Sequence, residues 1–465
     1  MEEGIAINKD NHSDIYYNNA AASLDRDIED VCVGLQPQYS KYLHNVTERN
    51  VFIIINYINA MRTEVNLSDN YRKDIIKLLC IFSRFNKNKP FKVVTKTDIL
   101  TFLNSFRRDE ATDQMHSWIG TYNIYRIHLL RFFKWLHFPD IEPGKRPKPE
   151  VIQNIPSLRR KEKSIYKPTD LWTVEDDLLF LKYCPSKRNK CFHAMAHDTG
   201  CRPHELLKLR IKDISFRSAG NRQYAEVFVN GKTGSRHIPL IDSIPYIKDY
   251  LDHEHPHPGN PTAILLCGTG KSLGRILNIV SLSKIYNDYK TQIFPKLLLN
   301  PNIPPEDKQK ISELLKKPWN PYIRRHSALT EKSKILKEHT LRQFAGWTIG
   351  SNMPQKYLHY FGNEASESLL EAYGIIIKDQ KSSDALRPKQ CPNCAEPNKP
   401  DSKFCAKCRM ILRYDAYSQT VEDIETKDKE VQSLKEQMAA MQEAQKEILD
   451  LLKDPIKLSE AVKSN

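Results

Sequence analysis

Residues 346–362 read GWTIGSNMPQKYLHYFG, where a glycine–tryptophan pair and a polar, glycine-bearing loop precede two tyrosines three residues apart, Tyr357 and Tyr360. Whether either phenol is more than a packed aromatic depends on what accompanies it elsewhere. Upstream, HDTGCRPHELLKLRIKDI (197–214) puts Arg202 at the mouth of a helix with Glu205 one turn later. Alone, R-x-x-E on an amphipathic helix reads as an internal ion pair. Some 120 residues on, NPYIRRHSALTEKS (320–333) leads Arg325 and His326 into another helix. Arginine has a planar fork that holds two phosphate oxygens and stays charged when desolvated, so two from separate helices make a clamp. Between them, YAEVFV alternates at period two, NGKTG supplies a glycine turn and SRHIPLI returns, which predicts a hairpin with Lys232 at its tip.

The order Arg202, Lys232, Arg325, Trp347, Tyr357 resembles the tyrosine recombinase (phage integrase) family. TGCRPHELLKL is similar to its first arginine box, PYIRRHSALT to its H-x-x-R box, and FAGWTIGSNMPQKYLHY to its final box, in the archaeal form ending Y-x-H. The resemblance spans roughly residues 40–375. It implies a mainly α catalytic fold with a small β-hairpin or sheet, preceded by a helical SAM-like core-binding domain. It also implies site-specific DNA recombination through a covalent 3′-phosphotyrosine, with Tyr357 as nucleophile. Arg202 and Arg325 would stabilise the phosphorane, Lys232 would protonate the departing 5′ oxygen, Glu205 would orient Arg202, and Trp347 would buttress the phosphate. The pattern departs from the family at Tyr322, which stands where H-x-x-R carries histidine, so the base role is open there. His326 then reads as packing or as compensation, and Tyr360 as an aromatic holding the C-terminal helix. Relatives pass a segment like SESLLEAYGI (366–375) between protomers.

The chemistry fits these residue types. Cutting and resealing a strand without hydrolysis needs a nucleophile that conserves the phosphodiester energy, and a tyrosine oxygen does so with no obligatory metal. A phenol titrates near 10 when unperturbed, so nearby positive charge must favour the phenolate. The runner-up readings are a DNA-binding regulator that keeps the fold without cleavage, and a type IB topoisomerase-like strand-transfer enzyme.

Composition points the same way. A chain of 465 residues exceeds one core, and a net charge of +14 attracts a polyanion, making double-stranded DNA the leading partner. No apolar run of membrane-spanning length and no secretory pattern is evident, so the expected location is cytoplasmic and DNA-associated, with no membrane partner. The domains expected are an acidic disordered tail (1–38), the helical core-binding domain (39–138), a basic proline-rich linker with Arg159, Arg160, Lys161 and Lys163 (139–170), the catalytic domain (171–385), a zinc ribbon (386–415) and a coiled-coil or amphipathic helix (416–465). Cys391, Cys394, Cys405 and Cys408 form two C-x-x-C pairs about a ten-residue loop, the spacing of a structural Zn²⁺ site. Its lysines Lys389, Lys399, Lys403 and Lys407, with Arg409, are expected to add phosphate contacts. Val431, Leu434, Met438, Met441, Ile448 and Leu452 fall on a and d heptad positions with Gln445 at an a position. A homo-tetramer on two duplexes is expected, with a protein partner as a further option for the ribbon or coil.

Overall fold

The computed structural model describes residues 23–65, 67–160, 166–220, 222–231, 233–361, 373 and 385–453. Lys232, most of the segment 366–375, Lys161 and Lys163 lie outside them. The chain divides into two units, Met1–Ile165 and Tyr166–Asn465. Both are mainly helical, and the second carries small antiparallel sheets.

In the first unit, helical apolar spacing produces α1 (23–32), α2 (Pro37–His44), α3 (Glu48–Glu64), α4 (Asp69–Phe85), α5 (Lys96–Asn104) and α6 (Trp118–His137). Their apolar faces meet in a core rich in aromatics, including Tyr57, Phe82, Phe91, Phe102, Phe132 and Phe133. The α1 helix lies inside the stretch whose acidity suggests a tail. Ile28 and Val31, one turn apart, are buried in the core while the acids around them face water. The proline-rich stretch after α6 also packs. Asn123 donates to Leu158 O (2.7 Å) and accepts from Leu158 N (3.0 Å), Arg126 donates to Ile155 O (2.8 Å), and buried Arg146 pairs with Glu64.

One polar side chain ties this core together. Asn50 is fully buried on α3, donates to Ser83 Oγ (2.9 Å) and Lys89 O (3.0 Å), and accepts from Phe91 N (3.2 Å). Removing it leaves the buried Phe91 N–H without its acceptor and Ser83 and Lys89 without one of their bonds, so Asn50→Ala should cost about 1–3 kcal/mol. Urea unfolding followed by the tryptophans of this unit, Trp118 and Trp135, measures the loss.

The second unit opens with α7 (Val174–Tyr183), started by the capping box between Thr173 and Asp176 (Asp176 N to Thr173 Oγ1, 3.3 Å; Thr173 N to Asp176 Oδ2, 2.8 Å). It is followed by α8 (Lys187–Thr199) and α9 (Pro203–Leu207). The sheet has three strands, β1 (Ile214–Ala219), β2 (Arg222–Gly231) and β3 (Gly234–Leu240), in the order β1-β2-β3. Gly231 pairs with Gly234 across the predicted hairpin. The strand β1 escapes a reading by pattern because it is an edge strand, almost wholly exposed, with no alternating face to bury. Then come α10 (Ile244–His253), α11 (Ile279–Asp288), α12 (Phe294–Leu299), α13 (Pro305–Lys316), α14 (Pro321–Ser333) and α15 (Glu338–Ala345). A short turn, Met353–Gln355, runs into a π turn at Lys356–Phe361.

The four-cysteine segment belongs to this unit and rests on α10. Leu386 is buried with Leu181, Ala194 and Tyr246, Glu396 pairs with Lys248, and Lys399 Nζ lies 2.6 Å from Asp249 Oδ2. The C-terminal helix spans Tyr414–Lys453 and leaves Val431, Leu434, Met438 and Met441 exposed. None of the helices, among the described residues, is long and apolar enough to cross a membrane.

Candidate active site and metal site

The site begins with a helix that ends on a glycine. Gly346 follows α15 in the left-handed region (φ 63°), and the chain closes as a Schellman motif, with Trp347 N to Arg342 O (3.0 Å) and Gly346 N to Gln343 O (3.1 Å). That closure leaves the carbonyls of Phe344, Ala345 and Gly346 available at the negative end of the helix dipole. Each takes a guanidinium. Arg236 Nε donates to Phe344 O (3.0 Å), Arg325 Nη2 to Ala345 O (2.9 Å) and Arg202 Nη2 to Gly346 O (3.3 Å). Thr233, at the hairpin turn, also donates to Gly346 O (2.8 Å).

A second glycine-ended helix completes the grip on Arg325. Gly200 ends α8 at φ 53°, and its carbonyl accepts from Arg325 Nη1 at 2.6 Å. Arg325 is thus nearly buried between two helix ends. Its neighbour Arg324 points elsewhere, wholly buried against Asp177 (2.8 Å) and close to His197 (3.1 Å) and Glu331 (3.7 Å), and so anchors α14. The carboxylates and imidazole of this group converge on a guanidinium that already supplies their cation.

Glu205 joins two of the arginines. Its Oε1 accepts from Arg202 Nη1 (2.9 Å), and its Oε2 accepts from Arg236 Nη2 (2.9 Å) and from Arg202 N (3.0 Å). Burial pushes this carboxyl up, but the hydrogen bond and charge of Arg236, followed by the backbone and side-chain hydrogen bonds from Arg202, hold it down at about 2. Arg236 is the residue a reading by motif misses. The signal was present: β3 buries Ile238 and Leu240, and Arg236 occupies the next inward position of that alternation.

Tyr357 lies in the π turn with 1% of its surface exposed. Its ring stacks between Trp347 (5.2 Å, 23°) and His326 (5.8 Å, 20°), and its hydroxyl is 2.9 Å from His326 Nδ1. Burial pushes the phenol up to about 12, against the pull of Arg325 and Arg202. His326 is lowered to about 4 by burial and by the positive charges of Lys356 and Arg325. The structure therefore gathers Arg202, Glu205, Arg325, Trp347 and Tyr357. Tyr322, an i,i+3 neighbour of Arg325 on α14, is 40% exposed. The side chain of Tyr360 lies outside the described residues. Beside Glu205 and Gly231 opens a cleft of about 610 Å³ lined by His204, Lys208, Arg210, Lys212 and Phe228 among others.

The four cysteines form a separate centre. Their sulfurs lie within 4.8 Å of one another, with Cys391 Sγ to Cys408 Sγ at 3.5 Å and Cys394 Sγ to Cys405 Sγ at 3.6 Å. Those edges approach the roughly 3.7 Å of a tetrahedron with zinc–sulfur bonds of about 2.3 Å. The knuckles match each other. Ala395 N donates to Cys391 O (2.8 Å) and Arg409 N to Cys405 O (3.0 Å), and Ala395 and Arg409 both take positive φ. The group is able to hold a zinc ion. Lys399, expected at a phosphate, instead donates to Asp249, whereas Lys389, Lys403, Lys407 and Arg409 are exposed.

No family model matches the chain, and no curated protein matches it significantly. Among solved structures, it is similar to the XerH site-specific recombinase bound to palindromic difH substrate in a post-cleavage complex (19% identity, 76% of this chain and 94% of that one, TM-score 0.47). It is also similar to the Tn1549 transposon integrase in complex with transposon right end DNA (14%, 69% and 99%, 0.46) and to a lambda integrase dimer bound to a COC′ core site (14%, 67% and 96%, 0.45).

Two measurements probe these centres. A Cβ on Gly346 would meet Arg236 Nη1 at 2.7 Å, besides adopting positive φ. Gly346→Ala should lose about 1–3 kcal/mol of stability. Gly346→Asn should be no milder in thermal unfolding, although asparagine tolerates the left-handed region, because its Cβ collides equally. For the metal site, purified protein should release one zinc per chain on thiol titration, and Cys391→Ser should release none while the rest of the second unit stays folded by circular dichroism.

Proposed function

We propose that the chain is a site-specific DNA recombinase or integrase that cuts and rejoins duplex DNA through a 3′-phosphotyrosine on Tyr357. One observation carries the reading: Arg202 and Arg325, from separate helices, are held by helix-end carbonyls so that both bear electrostatically on the Tyr357 phenol. Positive charge at that spot lowers the cost of a phenolate and of the negative charge that gathers on a phosphorane. The Tyr357 oxygen attacks the phosphorus, the bond to the 5′ oxygen breaks, and the leaving oxygen takes a proton, assigned to Lys232. Rejoining runs the same steps backward. The buried phenol must emerge to meet a phosphate, so DNA binding and movement of the π turn are coupled.

The cleft beside Glu205, with Lys208, Arg210 and Lys212, supplies positive charge suited to the duplex backbone. Cys391, Cys394, Cys405 and Cys408 would hold a structural Zn²⁺, and four thiolates leave it no open position for catalysis. The exposed heptad positions of the C-terminal helix support association of protomers into a tetramer on two duplexes.

The test is covalent capture. Sheared genomic DNA from the source organism is incubated with the protein in EDTA, denatured, and the DNA attached to protein is sequenced. Wild-type protein should yield one recurrent junction, attached through a 3′ end, and Tyr357→Phe should bind DNA but yield none. Capture that survives in Tyr357→Phe and disappears in Tyr360→Phe would move the nucleophile. Binding with no adduct from the wild type would make the chain a regulator, and relaxed circles without exchanged strands would make it a topoisomerase.

A further inference from the structure

The H-x-x-R position that carries histidine in the resembled family holds Tyr322, a 40% exposed phenol. This leaves open which group accepts the proton of Tyr357. Among the described residues, a side chain already touches that oxygen. His326 Nδ1 lies 2.9 Å from Tyr357 Oη, and the imidazole packs against two phenol rings, Tyr357 (5.8 Å, 20°) and Tyr166 (5.2 Å, 56°). Trp347 stacks on Tyr357 at 5.2 Å, so in the DNA-free arrangement the phenol is held against the imidazole.

We infer that His326 is the general base that takes the proton of Tyr357 as its oxygen attacks DNA. The inference rests on the recombinase reading. The phenol holds its proton at neutral pH and the imidazole lacks one, so the phenol donates, Nδ1 accepts, and Nε2 carries the ring hydrogen. Among the described residues, the charged and titratable groups around the imidazole include Arg325 on its own helix, Lys356 and Tyr357 in the π turn, and Tyr166 ahead of α7; Arg202 on α9 acts on the phenol. Two of these are cations that oppose protonation of His326. A bound phosphate, gaining charge as the phosphorane forms, offsets them and stabilises the imidazolium when the proton arrives. The balance is complete: the Tyr357 O–H bond breaks and its proton goes to Nδ1, the Tyr357 O–P bond forms, and the P–O5′ bond breaks with its electron pair leaving on the 5′ oxygen. The reverse reaction returns the proton to Tyr357.

The test uses the full-length protein and a nicked duplex synthesised from the captured junction, in single turnover. His326→Ala should slow attachment by about 10²-fold or more while DNA affinity changes little. Added imidazole should restore much of the rate, more strongly for the more basic substituted imidazoles, a response that a packing role does not give. His326→Asn keeps a hydrogen-bond acceptor without a base and should be as slow as the alanine variant, which preserves the test if alanine unfolds the site. Equal or faster attachment by His326→Ala would mean that the contact only holds a resting tyrosine, and a slow variant indifferent to imidazole would reduce His326 to packing; either overturns the inference. Loss of attachment in Tyr322→Phe with full activity in His326→Asn would transfer the role to Tyr322. If wild-type protein forms no adduct, the recombinase reading fails and takes this one with it.

Discussion

Three main-chain carbonyls at the end of α15 hold the site together. A helix that stops at a left-handed glycine reverses sharply, and its last carbonyls have no amide to pair with. Here Phe344, Ala345 and Gly346 offer theirs to Arg236, Arg325 and Arg202, which come from a strand, a helix and a helix cap far apart in sequence. The gathering of like charges is tolerable because each is met by a helix dipole, and two of them also share the buried Glu205 carboxylate. Without that arrangement, burying guanidinium groups side by side would be prohibitive.

Much of this was legible in the sequence for a physical reason. Arg202 and Glu205 announce themselves by helical spacing, Arg325 by its place at a helix start, and the clustered cysteines by two C-x-x-C pairs at ligand spacing. Arg236 did not, because no local partner marks it: its acceptors on Phe344 and Glu205 are non-local. His326 was visible yet ambiguous, since a histidine beside an arginine on a helix has the same pattern whether it packs or bonds to a tyrosine. The helix at 23–32 was hidden because its few apolar residues, Ile28 and Val31 with Leu24 and Cys32 beside them, are spread among acids that resemble a tail. Lys399 shows the converse error: a lysine near a cysteine knuckle looks available until the fold brings Asp249 within 2.6 Å.

The four-cysteine group is fastened within the second unit by three kinds of contact at once: buried Leu386, the Glu396–Lys248 pair, and Lys399, which meets Asp249 and also lies over the Tyr246 ring at 5.5 Å. Asp249 is shared with Lys187 at the start of α8, so the module and that helix answer to one carboxylate. The two lysines together, after burial has pushed the other way, hold Asp249 below the usual carboxylate range. A short segment with so small a core of its own depends on such fastening for its order.

That the arginines are received by backbone oxygens has a bearing on how the sequence can drift. Any residue at 344 or 345 presents the same carbonyl to Arg236 and Arg325, so what limits those positions is packing: Phe344 lies against the core and Ala345 is wholly buried. Two glycines are limited by backbone conformation and by space. At 200 an added methyl would crowd Leu329 at 3.0 Å and at 346 it would strike Arg236, so the positions with no side chain are the ones at which the site admits least variation.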